Sequence, residues 1–263
     1  MDLNAPHIPA DWQELQQLLF LDAHNQLIDR IRSPYIYRGL SDIGYKLMTS
    51  LTRLGGAYLQ LEKHLLRNFK KYAYNAHPLG TSDWHWLALA QHHGLPTRLL
   101  DWTYSPYVAL HFATENIHRF QTDGVIWALN YEKVNNYLPE RPRSIISRVG
   151  SNSFTGDMLL QAFPTLDALD ETDGEFVMIF ESASLDHRIV NQFALFSMMS
   201  TADGILSTWL EDYPDLYFRI QIPSDMKWEI RDRLDQANIN ERVLFPGLQG
   251  LSKWLKRHYS PKV

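Results

Sequence analysis

Cysteine is absent from the 263-residue chain. That excludes disulfides, a thiolate nucleophile and a cysteine-built zinc site, and it suits a reducing compartment. Long apolar runs are also missing, since no segment approaches the roughly 18 to 20 residues that span a bilayer. Residues Met1 to Pro9 lack the basic and apolar regions of a secretory leader. A cytoplasmic protein with no membrane partner is therefore expected. Positive charge is not in excess: the formal net charge is −5, so no overall field draws the chain to nucleic acid. Phosphate-binding glycine motifs are missing, both Gly-x-Gly-x-x-Gly after a strand and the P-loop, as are His-Glu-x-x-His and Gly-x-Ser-x-Gly. These absences argue against Rossmann-type dinucleotide binding and P-loop phosphate chemistry. Repeats, low-complexity tracts and Gly/Ser linkers are absent too, which favours one domain over several.

What is present is a mixture of helical and strand patterns without strict βαβ alternation, which predicts an α+β fold. Asp11 and Glu14 form a capping-box pattern ahead of Leu15, Leu18, Leu19 and Leu27, predicting an N-terminal helical region over residues 1–33. A strand is expected from Tyr35 to Arg38, ending at Gly39. An amphipathic helix is expected from Ala57 to Tyr74, with Leu59, Leu65, Leu66 and Phe69 inward and Lys63, Arg67, Lys70 and Lys71 on a solvated face. Ser82 caps a helix ending at His93, and Gly94 stops it. Strands are expected at Thr97–Trp102, Val125–Leu129, Phe176–Phe180, Ile189–Met199, Tyr217–Ile222 and Arg242–Phe245. Helices are expected at Pro106–Phe120, Ser224–Ala237 and Leu248–His258. Arg141, Arg143 and Arg148 make a local basic patch in the weakly patterned stretch between Tyr131 and Asp173.

The most informative stretch is Leu95-Pro96-Thr97-Arg98-Leu99-Leu100-Asp101-Trp102-Thr103-Tyr104-Ser105-Pro106. An apolar strand runs into a helix with Ser105 as N-cap and Pro106 at the first helical position. Such a junction gathers free backbone N–H groups and is a common ligand site. Asp101 and Thr103 share one face of the strand, while Arg98, Leu100 and Trp102 are read as facing the other way. Ala109, Phe112 and Ala113 are expected to pack the helix on the sheet. Arg38 ends an apolar strand, and its guanidinium requires an anion or several carbonyls. Gln192 and Glu241 each precede an expected strand and can orient a hydroxyl. His85, His92 and His93 lie two turns apart on one helix, about 10 to 12 Å along its axis, too far to share one ion. No metal is expected. A hydrolase or nuclease site built on His92, His93, His111 and Asp101 remains as a third reading.

Together, Tyr37-Arg38-Gly39, Gln91-His92-His93-Gly94-Leu95-Pro96-Thr97-Arg98-Leu99-Leu100-Asp101-Trp102-Thr103, Ser105-Pro106 and Ala109-Leu110-His111-Phe112-Ala113 resemble the FRG domain family. Arg188-Ile189-Val190-Asn191-Gln192 and Leu244-Phe245-Pro246-Gly247-Leu248-Gln249-Gly250-Leu251 fit the same resemblance, which takes in residues 34–263 as one domain. The family is distantly similar to ADP-ribosyltransferases, which implies a mixed or antiparallel β core. It also implies NAD as substrate, a macromolecular acceptor, and a place in a bacterial toxin or antiphage module with an antitoxin or defence partner. On that resemblance Tyr37-Arg38-Gly39 is the first-strand element. Asp101-Trp102-Thr103 stands at the second, because Ala109 follows Thr103 by six residues and Phe112 follows Ala109 by three. Arg38 would bind the pyrophosphate or ribose edge, and Trp102, Tyr35 or Tyr37 would stack on nicotinamide. Asp101 and Thr103 would hold the ribose or the later carboxylate, with Arg98 and Ser105 completing the cofactor wall. Glu241 or Gln192 would favour an oxocarbenium-like transition state, with Arg38 as the third catalytic group. A non-catalytic nucleotide-binding module on the same fold is the alternative.

Overall fold

The computed structural model describes residues 5–73, 82–183 and 186–262, without the side chains of Tyr58 and Leu59. The expected helix end at Tyr74 and the inward side chain of Leu59 lie outside the described residues. The frame is a six-stranded sheet made of β1 (Tyr35–Leu40), β2 (Leu99–Thr103), β3 (Gly124–Asn130), β4 (Val177–Phe180), β5 (Ala194–Met199) and β6 (Tyr217–Ile222). Their spatial order is β4-β5-β2-β1-β3-β6, and every pairing among them is antiparallel. Helices fill the connections, giving the α+β class.

Alternation along the strands sorts side chains onto two faces. One face carries a continuous core in which Ile36, Leu100, Val125, Trp127, Val177, Leu195 and Tyr217 meet across all six strands. The other face carries two separate clusters. Leu99, Met178, Phe180, Phe196 and Met198 pack under the helix Asp83–His92 and the helices Glu140–Val149 and Gly156–Ala162. Tyr35, Tyr37, Ile126, Ala128, Ile220 and Ile222 pack under the helices Trp12–Leu19, Pro106–Thr114 and Lys227–Gln236.

The division falls between β2 and β1. The six residues of β1 all pair with β3, and the five of β2 all pair with β5. Between β1 and β2 the register holds at one position, Tyr37 opposite Thr103. The sheet is therefore two three-stranded halves joined at a nearly unpaired seam.

Several expectations are corrected. Among the described residues of the 1–33 region, the helix is confined to Trp12–Leu19, where Asp11 accepts from Glu14 N at 2.9 Å and Glu14 accepts from Ala10 N at 2.7 Å. A short ribbon pairs His24–Asn25 with Arg30–Ile31, and Leu27 on it is 96% exposed rather than inward. The segment is tied to the main body, since Leu15 and Leu19 are buried against Tyr35 and Tyr37. The strand expected from Ile189 opens as a helix, His187–Asn191, because Asp186 caps it by accepting from Arg188 N and Ile189 N. The strand expected at Arg242–Phe245 is a helical turn, Glu241–Leu244, capped by Asn240. Four apolar or polar residues in alternation cannot outweigh an N-cap side chain that satisfies the first amides. The helix from Pro106 ends at Thr114, and a 3-10 turn at Ile117–Arg119 follows.

Candidate functional site

A cleft of about 290 Å³ opens along the β1–β2 seam. This is at the lower end of ligand-pocket sizes. Its floor and walls bring together Tyr37, Arg38, Gly39, Asp101, Trp102, Thr103 and Gln192 with Tyr45, Arg53, Phe112, Glu115 and Arg188.

Gly39 explains how the helix Pro106–Thr114 reaches this place. A Cβ on Gly39 would lie 1.8 Å from the Ala109 carbonyl oxygen and 2.7 Å from Ala113 N, so only glycine lets the helix lie directly on β1. Ala109 and Ala113 are buried at that contact, as expected. Phe112, expected to pack with them, lies on the cleft wall instead.

Arg38 sits between Ile36 and Leu40 in the β1 alternation, but its guanidinium reaches into the seam. Nη1 donates to the Asp101 carbonyl oxygen, beyond the one register position at which β1 and β2 pair. The Asp101 carboxylate is 3.8 Å from the same nitrogen, and Arg38 Nε is buried with no hydrogen-bond partner. Burial lowers the affinity of this group for its proton, Asp101 pulls the other way, and nearby Arg53 lowers it further. A guanidinium does not give up its proton, so Arg38 stays charged where its surroundings disfavour charge. Asp101 itself is fixed by Gln91 Nε2 at 3.0 Å, and Gln91 accepts from Thr97 Oγ1 at 2.6 Å. The Gln91 and Thr97 of the long motif thus serve to hold Asp101.

Thr103 Oγ1 donates to the Gln192 carbonyl at 2.7 Å and accepts from Ser105 N at 3.0 Å. Ser105 caps the helix by accepting from Val108 N at 3.3 Å and is not among the cleft residues. The Gln192 side chain lines the cleft but donates to the Leu244 carbonyl at 2.9 Å. Phe193 follows with a φ of 47°, a left-handed conformation that a bulky residue rarely holds.

Four expected site residues lie elsewhere or face away. Arg98 is buried in an ion cluster with Glu62 and Asp170, at 2.9 Å from Nε to Glu62 Oε1 and 2.8 Å from Nη1 to Asp170. Burial opposes its charge, but the two carboxylates outweigh that and raise its pKa. The Trp102 indole belongs to the continuous core and donates to Ser197 Oγ at 2.8 Å. Tyr35 and Tyr37 are buried in the other core, with the Tyr37 hydroxyl against Ser33. The aromatic rings lining the cleft with exposed surface are Phe112, expected to pack the helix on the sheet, and Tyr45, which the strand and helix patterns did not single out.

Glu241 lies behind the cleft wall. It accepts from Arg231 Nη2 at 3.0 Å and from Arg257 Nε and Nη2 at 2.8 Å each, and Arg257 also grips Asp235. Arg231 is fully buried and donates to His111 Nδ1 at 2.8 Å. Since arginine only donates, His111 carries its own proton on Nε2. That nitrogen has no hydrogen-bond partner and is 3.9 Å from Glu115 Oε2. Burial, then the Arg231 charge, push the His111 pKa down to about 3.

Five of the other basic groups weighed from the sequence are occupied locally. Lys63 meets Asp167, Lys70 meets Asp83, Arg143 meets Glu140, and Arg141 and Arg148 bond Gln161. Among the described residues no three of His, Asp and Glu converge as metal ligands. His92 instead bonds Asp186 at 2.7 Å.

The seam, the Arg-Gly step and the helix after Ser105 all fall within one comparison. Residues 33–122 match the FRG domain. The FRG match takes in β1, β2, the helix Pro106–Thr114 and the cleft residues Arg38, Arg53, Asp101, Phe112 and Glu115. Arg188, Gln192 and Glu241 come from beyond it. No curated protein and no solved structure matches the chain.

Proposed function

We propose that the seam cleft is the NAD site of an ADP-ribosyltransferase-like enzyme that modifies a macromolecular acceptor, in the manner of a bacterial toxin or antiphage effector. The antiparallel sheet that opens between its two central strands supports the corresponding fold. The observation that carries the reading is Arg38. A partly buried guanidinium that holds one carbonyl, stands 3.8 Å from its nearest carboxylate and leaves an enclosed Nε unpartnered is built to receive an anion. A dinucleotide diphosphate meets that need, and Phe112 and Tyr45 supply the aromatic surface that Trp102, Tyr35 and Tyr37 cannot.

Incubation with labelled NAD and a cell lysate, following nicotinamide release and label transfer, tests the assignment. Arg38→Ala is expected to lower turnover at least ~100-fold, the scale of losing one preorganised charge contact, while its melting temperature stays near wild type. Undiminished turnover in that variant would sink the reading.

One observation favours a binding module without chemistry. Glu241 is locked between Arg231 and Arg257, and the Gln192 amide is spent on Leu244. Tight NAD binding with no nicotinamide release would select that alternative.

A further inference from the structure

With Glu241 and Gln192 both engaged, the cleft retains two carboxylates, Asp101 and Glu115. Asp101 is committed, held by Gln91 and balancing Arg38. Glu115 follows the last turn of the Pro106–Thr114 helix, and 43% of its side chain is exposed on the cleft wall. Behind it stands His111, fully buried, with its Nε2–H unpartnered and 3.9 Å from Glu115 Oε2. Catalytic hydrogen bonds are often this long before substrate binds. The other side of the imidazole is fixed by Arg231, and Arg231 is fixed by Glu241.

We propose that Glu115 is the acid–base carboxylate of the cleft and that the buried His111–Arg231–Glu241 array is what positions it. This rests on the NAD reading given above. In the step, the bond from ribose C1′ to the nicotinamide nitrogen breaks and its electron pair neutralises the pyridinium. A bond from C1′ to the acceptor heteroatom forms, and the acceptor proton passes to Glu115. Positive charge on the ring and negative charge on the carboxylate are lost together, so charge balances. His111 is a positioning residue, because it meets the reaction only through Glu115.

The electrostatics agree. Burial pushes the Glu115 carboxyl up, the direction that makes a carboxylate a better proton acceptor. Lys253, Arg231 and Arg188, on three other helices, pull it down, and Glu241 pushes it up.

The test is Glu115→Gln, with Glu115→Asp beside it, measured for NAD binding by calorimetry and for turnover with labelled NAD. The expected result is a binding constant within about threefold of wild type and a turnover at least ~100-fold lower. The Gln variant also reports on His111: its Nε2 proton resonance is expected to move when the carboxylate is removed, and an unmoved resonance overturns the positioning link. Turnover within threefold of wild type in Glu115→Gln overturns the assignment and leaves the NAD reading standing. Wild-type protein that never turns over NAD brings down both readings. If Glu115→Gln does not fold, Glu115→Asp decides: a shifted acid limb in its rate–pH profile supports the role, and an unmoved limb refutes it.

Discussion

Arg38 and Arg98 show how much a single residue's surroundings decide. Arg38 lies within β1 and Arg98 just before β2, both in the matched region, and each requires negative charge. Arg98 finds two carboxylates within the fold and so has nothing left for a ligand. Removing one member of such a buried pair leaves an uncompensated charge. Glu62→Ala is therefore expected to cost about 3–5 kcal/mol in a urea melt, whereas Arg98→Met with Glu62→Gln should recover much of that loss. Sequence could not separate the two arginines, because Glu62 lies 36 residues before Arg98 and Asp170 lies 72 after it. Trp102 is a related case. Its place in the motif suggested a stacking ring, but alternation puts it beside Leu100 in the continuous core, where the indole N–H already has Ser197.

At the scale of elements, caps and close contacts were the readable signals. Asp11 and Ser105 could be read directly, since each accepts from the amide three residues on, and so could the Pro106 start, because proline lacks the N–H that a first helical position leaves unused. Ser105→Ala is expected to destabilise by about 1 kcal/mol in chemical denaturation. Gly39 was legible as part of a motif but not for its reason, which is the helix laid on it by a residue 70 positions later. Gly39→Ala is expected to cost more than the ~1–3 kcal/mol of ordinary overpacking, because the colliding atom is backbone and cannot rotate away. Circular dichroism melts with and without NAD would show this loss. The caps Asp186 and Asn240 carry no such signal, and the two helical turns they start have the pattern of strand. Both stretches are only four to five residues long, too short for the helical period to declare itself.

For the molecule as a whole, the buried charges set its behaviour in acid. His111 has a folded pKa of about 3 against an ordinary 6.5. The unfolded chain therefore binds more protons between those values, and stability falls as pH is lowered through that window. Burial opposes the Glu241 charge, but Arg257 and Arg231 outweigh it and carry its pKa down to about 2 from 4.5. Its contribution is present above 4.5 and is lost as pH falls toward 2. Glu115, raised in the fold, acts in the opposite sense and favours the folded state as pH falls. Each proton of difference changes stability by about 1.4 kcal/mol per pH unit. Urea melts at pH 7, 5.5 and 4 are expected to show a steady loss of stability. A flat profile would mean that His111 is not buried uncharged.

The seam has a mechanical consequence. Two plates of three strands share one apolar floor but only one backbone rung between them, Tyr37 with Thr103. A ligand seated between Arg38 and Asp101 would act as a second stitch across the same line. Occupancy and stiffness would then be one property, and amide exchange at Arg38, Gly39 and Asp101 would slow when the cleft is filled, while exchange along the β1–β3 and β2–β5 ladders would change little.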